Sequence, residues 1–258
     1  LPFADMNALI QASREALLAA VKGAAATLPL SAVTLLAPIP RPRQDVICLG
    51  INYKAQTEEA ARYSSEAFTK ERPIPINFSK RVTEAVAPEG DIESHPGLVE
   101  RLDYEAELAV IIGKTAKNVM AEDAADYIFG YTVLNDVSAR VLQTAHKQWY
   151  FGKSLDGFTP IGPCIVTADE IVFPPALHIT ARVNGELRQD STTDLLITSI
   201  ADIIEELSSG MTLLPGTIIS TGTPSGVGMG FDPPKFLKPG DVVECTIDGI
   251  GTLRNTVR

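Results

Sequence analysis

The sequence predicts an α+β, mostly β fold: a mixed, mostly antiparallel roll or barrel with a small N-terminal helix-and-strand appendage. Three observations predict it. Many short β-prone runs are bounded by Gly, Pro, Asn and Asp. Few helical stretches separate them, and they do not alternate regularly with the strands, which argues against a doubly wound parallel sheet. Two turn signals, Asn184-Gly185 and Asp248-Gly249, join neighbouring runs as hairpins. There is no internal repeat or low-complexity segment.

Taken in order, residues 3–22 place Leu9, Ala12, Ala16, Leu17, Ala20 and Val21 at helical spacing, with Gly23 as the C-cap. Residues 32–36 read as a short strand, and Pro38-Ile39-Pro40-Arg41-Pro42 as a stiff connector. Residues 1–42 therefore form the appendage, and residues 43–258 the main domain. Within it, strands are expected at 45–50, 76–79, 102–113, 128–136, 164–167, 177–183, 217–220, 242–247 and 251–257, with a return strand from Glu186. Helices are expected at 54–67, broken by Pro73-Ile74-Pro75, and at 121–126, 138–146 and 198–209. Residues 149–162 read as a loop.

The chain has 258 residues and a net charge of −10, which disfavours nucleic-acid and polybasic membrane partners. It does not disfavour anionic substrates, because a metal or a few local cations can reverse the field inside a pocket. Cys48, Cys164 and Cys245 lie apart in apolar runs and read as buried thiols of a protein in a reducing compartment. No apolar stretch is long enough to span a membrane. Asp5, Arg14 and Glu15 interrupt the N-terminal pattern, which does not read as a signal peptide, so a cytoplasmic protein is expected.

Chemistry concentrates at Glu105 and Glu107, which open an apolar run. On a strand they share a face, about 7 Å apart. They are either a solvated edge or the start of a site for a hard cation such as Mg²⁺ or Ca²⁺. Asp136 ends the run at 128–136 and is either a helix cap or a third carboxylate at the same place. Around Mg²⁺ or Mn²⁺, three carboxylates leave room for a substrate. No histidine pair has zinc spacing, no Gly-x-Ser-x-Gly elbow is present, and the glycine-rich run from Thr221 to Gly230 lacks a P-loop lysine. That run is either a flexible turn or a backbone surface for a small anion. Lys153 is either solvated or a clamp for a substrate carboxylate.

Six motifs stand in one order: Leu49-Gly50-Ile51-Asn52-Tyr53, Asp103-Tyr104-Glu105-Ala106-Glu107, Asn135-Asp136-Val137-Ser138-Ala139-Arg140, Gly152-Lys153-Ser154, Val183-Asn184-Gly185 and Ser220-Thr221-Gly222-Thr223-Pro224. Together they resemble the fumarylacetoacetate hydrolase family over about residues 45–257. The resemblance implies the β-roll of that family's C-terminal domain, usually a homodimer. It implies that Glu105, Glu107 and Asp136 bind Mg²⁺ or Mn²⁺ (Ca²⁺ remaining open), that Gln143 and Lys153 contact substrate, and that Thr223 holds its carboxylate. The expected substrate is a small anionic 2-oxo or β-diketo acid, and the first expected reaction is hydrolysis of a C–C bond. Isomerisation of a dienedioate, decarboxylation of an oxaloacetate-like acid, and a silent metal- and oxo-acid-binding role are the alternatives. The segment after Tyr53 matches a lid carrying an acid–base His and Glu. Here those positions are Gln56 and Glu59. They share a helical face, but an amide does not titrate near neutral pH, which leaves Glu59, alone or with water, or else an approaching His95 or His146, as the base, with Lys153 a further candidate catalytic residue.

Overall fold

A computed structural model describes residues 2–25, 28–60 and 75–258. Thirteen strands run in chain order: β1 Val46–Gly50, β2 Ile76–Lys80, β3 Asp91–Ile92, β4 Leu102–Asp103, β5 Ala106–Ile112, β6 Ile128–Asn135, β7 Ser138–Ala139, β8 Ile161–Thr167, β9 His178–Val183, β10 Glu186–Thr192, β11 Ile218–Ser220, β12 Val242–Ile247 and β13 Gly251–Val257. The α-helices are α1 Met6–Ile10, α2 Arg14–Lys22, α3 Lys54–Ala60, α4 Arg140–Ala145, α5 Tyr150–Lys153 and α6 Ile200–Gly210. The part of the expected lid helix beyond Ala60, and Pro73 and Ile74 after it, lie outside the described residues.

The strands form a six-stranded sheet in the order β2-β1-β11-β5-β6-β8 and a five-stranded sheet in the order β10-β9-β12-β13-β3, with β4 and β7 as a separate pair. Among the described strands only β1–β11 and β13–β3 pair parallel, so the sheets are mixed and mostly antiparallel. Both sheets are open, and no closed barrel forms among the described residues. They pack face to face. Leu108, Val110 and Ile112 of β5 and Tyr131 and Val133 of β6 meet Ile179, Ala181 and Val183 of β9 and Val243, Cys245 and Ile247 of β12. The other face of β5 is covered as well: Ala109 and Ile111 join a second core with Val46, Cys48, Leu134, Ile161 and Ile218. All seven residues of β5 are buried, which explains why it reads as an unbroken apolar run. The one-sided strand β12 alternates buried and half-buried positions instead.

The structure corrects six expectations. The strand expected at 102–113 breaks at Tyr104 and Glu105 into β4 and β5, which belong to different sheets. The N-terminal helix divides in two, because Ser13 caps α2 by accepting the Ala16 N–H. Ile10 is buried in the second core with Ala37 and Ile39. Residues 32–36 form no strand. A short 3₁₀ turn at Leu30–Ala32 takes up the start of the segment, the rest pairs with neither sheet, and Leu36 is exposed. The helix expected at 138–146 starts later, because Ser138 and Ala139 pair with Asp103 and Leu102. Asp136 is therefore not its cap, which falls on Ala139. The expected loop at 149–162 contains α5, which carries Lys153 at its end. Finally, Cys164 is exposed, because β8 is an edge strand; Cys48 and Cys245 are buried.

Candidate active site

Local sequence positions the acidic residues. Glu105 directly precedes β5 and Glu107 lies within it, so alternation puts both on the face opposite the sandwich core. β6 runs antiparallel to β5, with Asn135 opposite Ala106, and this brings the end of β6 to the start of β5. Two bonds lock the junction: Asp136 N–H donates to Glu105 O at 2.8 Å, and Glu105 N–H to Asn135 Oδ1 at 3.0 Å. One carboxylate oxygen each from Glu105, Glu107 and Asp136 lies within 4.8 Å of the other two, and all three residues are buried.

Three cations converge on this cluster. Lys153 Nζ donates to Glu105 Oε2 and Asp136 Oδ2, each at 2.7 Å. Lys80 Nζ lies 2.7 Å from Asp136 Oδ1 and donates to the carbonyls of Val137 and Lys153. Arg140 reaches Glu105 Oε1 at 2.6 Å and Asp103 Oδ2 at 2.9 Å. Burial works to raise the Asp136 acid, but the two ammonium groups hold it below the usual carboxylate range. Burial works to lower Lys153, and Asp136 and Glu105 more than reverse it.

Glu107 differs. Ser220 Oγ donates to its Oε2 at 2.5 Å and Gly222 N–H at 2.9 Å, but no ammonium or guanidinium lies within ion-pair distance of it among the described residues. Burial, followed by the Asp136 and Glu105 charges, pushes its acid well above the usual range. A buried, oxygen-only donor set with one carboxylate lacking a cation suits a hard divalent ion, so the residues fit such a metal.

The cluster opens into a cavity of about 540 Å³, whose wall includes Glu105, Glu107, Lys153, Gln143, Thr223 and Gln56. Asp136 lies behind Lys153, off the wall. Gln143 Oε1 accepts from Arg140, and Thr223 Oγ1 donates to Ala106 O while accepting from Gln189. Trp149, Phe78 and Arg101 also line the wall. No histidine lines it. His95 bonds Asp156 O, His146 stacks edge-on with Phe151, and His178 pairs with Asp190.

A sequence profile described as fumarylacetoacetate (FAA) hydrolase C-terminal matches residues 45–258. The chain belongs to the fumarylacetoacetate hydrolase family. It is 51% identical over 229 residues to the oxaloacetate tautomerase YisK of Bacillus subtilis, covering 88% of this chain and 74% of that one. Among solved structures it is 40% identical to a fumarylacetoacetate hydrolase from Exiguobacterium antarcticum, with a TM-score of 0.81 over 98% of this chain and 87% of that one. It is also 40% identical to a 2-hydroxyhepta-2,4-diene-1,7-dioate isomerase from Mycobacterium marinum, with a TM-score of 0.74 over 89% and 79%.

The two residues expected at lid positions separate here. Gln56 lies on the cavity wall, with its Oε1 buried and without a hydrogen-bond partner among the described residues. Glu59, also buried, is off the wall, and the Gly226 N–H donates to both of its carboxylate oxygens at 3.1 Å. The glycine-rich run does approach anions with its backbone, but the anions are the protein's own. Gly222 holds Glu107, Gly226 holds Glu59, and Gly228 and Met229 hold Asp103 at 2.7 and 3.0 Å. Sequence reasoning missed the roles of Asp103, Ser220 and these amides. Asp103 stands in the same motif as the two glutamates, which was its available signal. The amides show no side chain to read.

Proposed function

We propose that this family member catalyses keto–enol or double-bond isomerisation of a small 2-oxo carboxylate, supported by a divalent metal such as Mg²⁺ or Mn²⁺. The observation that carries this reading is the wall itself. Gln56 occupies the lid position on it, Glu59 is turned to Gly226, and no histidine faces the cavity. C–C hydrolysis, the first expectation from sequence, needs a base to activate water, a step typically worth about 10²–10⁴-fold. Tautomerisation consumes no water and breaks no C–C bond; it moves a proton between carbon 3 and the 2-oxygen, and the Lys153 ammonium on the wall would give a proton to carbon 3 of the enol and take back the one that the 2-oxygen releases. The oxaloacetate tautomerase and dienedioate isomerase relatives support the same reading.

Glu105, Glu107 and Asp136 would hold the metal, which supplies Lewis-acid stabilisation of charge on the 2-oxygen. Lys153, at the cavity floor, offers an ammonium to the substrate anion. Gln143 and Thr223 orient the carboxylate, and the apolar rings of Trp149 and Phe78 limit water beside it. The amide of Gln56 hydrogen-bonds without titrating.

The test follows the ultraviolet absorbance of enol oxaloacetate with Mg²⁺, alongside pyruvate release from an acylpyruvate. Accelerated enol decay with pyruvate release near background is expected. Pyruvate release as fast as enol decay would overturn the reading in favour of hydrolysis. Turnover of neither compound would leave a metal- and oxo-acid-binding protein.

A further inference from the structure

We infer that Glu59 is a positioning residue: it clasps helix α3 to the glycine loop and so fixes two walls of the cavity, and it is not the proton-transferring group. The inference rests on the isomerase reading for its activity readout and on geometry alone for its binding readout.

Glu59 is 8% exposed, and both of its carboxylate oxygens accept from the Gly226 N–H. Gly226 is held at its carbonyl as well, where Tyr104 Oη donates to Gly226 O at 2.7 Å. Position 226 requires glycine. Its φ is +98°, and a Cβ there would lie 1.9 Å from the Arg188 carbonyl oxygen. Position 230 is small for another reason. A Cβ there would lie 2.0 Å from Glu59 Oε1 and 2.2 Å from its Cδ, so the loop leaves a seat for this carboxylate.

The clasp reaches the cavity in two directions. Gln56 stands three residues before Glu59, on the same face of α3, and lines the cavity. Val227 and Met229, inside the clasped loop, line it as well. Gly228 and Met229 donate to Asp103, which binds Arg140 Nε, and Arg140 binds Glu105. The loop is therefore held between α3 and the base of the carboxylate cluster. The Glu59 carboxylate is turned to the Gly226 N–H and sits off the cavity wall.

This role depends on a hydrogen-bond acceptor and not on a titrating group, and that separates it from a general base. Trp149 is the only tryptophan of the chain and lines the cavity, so its fluorescence reports ligand binding without turnover. The probe is oxalate titrated in the presence of Mg²⁺, measured beside enol-oxaloacetate turnover. Glu59→Gln keeps an acceptor and is expected to stay within about threefold of wild type in oxalate affinity and in kcat. Glu59→Ala loses a hydrogen bond to a charged group and is expected to weaken oxalate roughly tenfold, with KM rising more than kcat falls. Gly230→Ala leaves Glu59 in the chain but occupies its seat, and is expected to reproduce the Glu59→Ala affinity. A Glu59→Gln variant with wild-type oxalate affinity and a hundredfold lower kcat would overturn the inference and make Glu59 the base. Wild-type affinity in both Glu59→Ala and Gly230→Ala would overturn it too. If wild type turns over no oxo acid, the isomerase reading fails, yet the oxalate titrations still decide the role of Glu59.

Discussion

Gln56 carries a carboxamide at a lid position where the resemblance leads one to expect an imidazole, and the difference is chemical before it is structural. An imidazole exchanges a proton near neutral pH; a carboxamide does not. Gln56→His, at a site already on the cavity wall, is therefore expected to raise pyruvate release from an acylpyruvate by roughly tenfold or more, within the range a general base supplies. Unchanged release in that variant would mean water activation is not what limits cleavage. At the floor, Glu107 is the carboxylate without a cation among the described residues. Glu107→Gln is expected to weaken Mg²⁺ or Mn²⁺ binding by at least tenfold in calorimetry, because it removes one formal charge from a three-carboxylate set. Equal affinity in the variant would remove the metal assignment. These acids were legible in the sequence because alternation along a strand is local and Glu105 and Glu107 are two residues apart. Glu59 was not, because the peptide that fixes its role is 167 residues away along the chain.

Strand β5 shows what makes an element readable. Its seven buried residues belong to two cores, so its apolar run has no polar phase to confuse it. Leu108→Ala removes a fully buried side chain from the sandwich and is expected to cost roughly 2–5 kcal/mol in denaturant unfolding, with no change at the carboxylates on the opposite face. A loss under 1 kcal/mol would mean the two sheets do not pack as described. The elements misread were those whose fate depends on a distant partner. Residues 32–36 have strand composition but join neither sheet, and α5 is only four residues long and holds a glycine. Cys164 follows the same logic: its run is apolar, but it falls on an edge strand. One thiol of three is therefore expected to react with a maleimide in the native protein, and mass mapping should place it at Cys164. Burial, with the Glu170 charge, raises that thiol, so its labelling should run slower than that of free cysteine at neutral pH and speed up as pH rises towards its pKa. Labelling of Cys48 or Cys245 first would contradict the sheet order.

Across the whole molecule, a net charge of −10 opposes the approach of any dianion, so affinity for one depends on where the cations stand. Lys80, Lys153 and Arg140 already bind the buried carboxylates. Arg101 lies on the cavity wall with its guanidinium 5.9 Å from the ring centre of Phe236, and no carboxylate is within ion-pair distance of it among the described residues. Its neighbour Glu100 also lines the wall, which sets a local negative charge against a monoanion and leaves Arg101 to offset a second one. A 2-oxo diacid has that second carboxylate; a 2-oxo monoacid does not. Arg101→Leu is therefore expected to raise KM for oxaloacetate roughly tenfold, a magnitude reduced by its exposure to solvent, and to leave pyruvate binding within about twofold. Salt separates this contact from the buried ones. At about 0.15 M the screening length is roughly 8 Å, so raising ionic strength should shrink the gap between wild type and Arg101→Leu while the Lys153 cluster holds its share of affinity. Equal losses for diacid and monoacid would show that Arg101 acts through the general field of the cavity and does not read the second carboxylate.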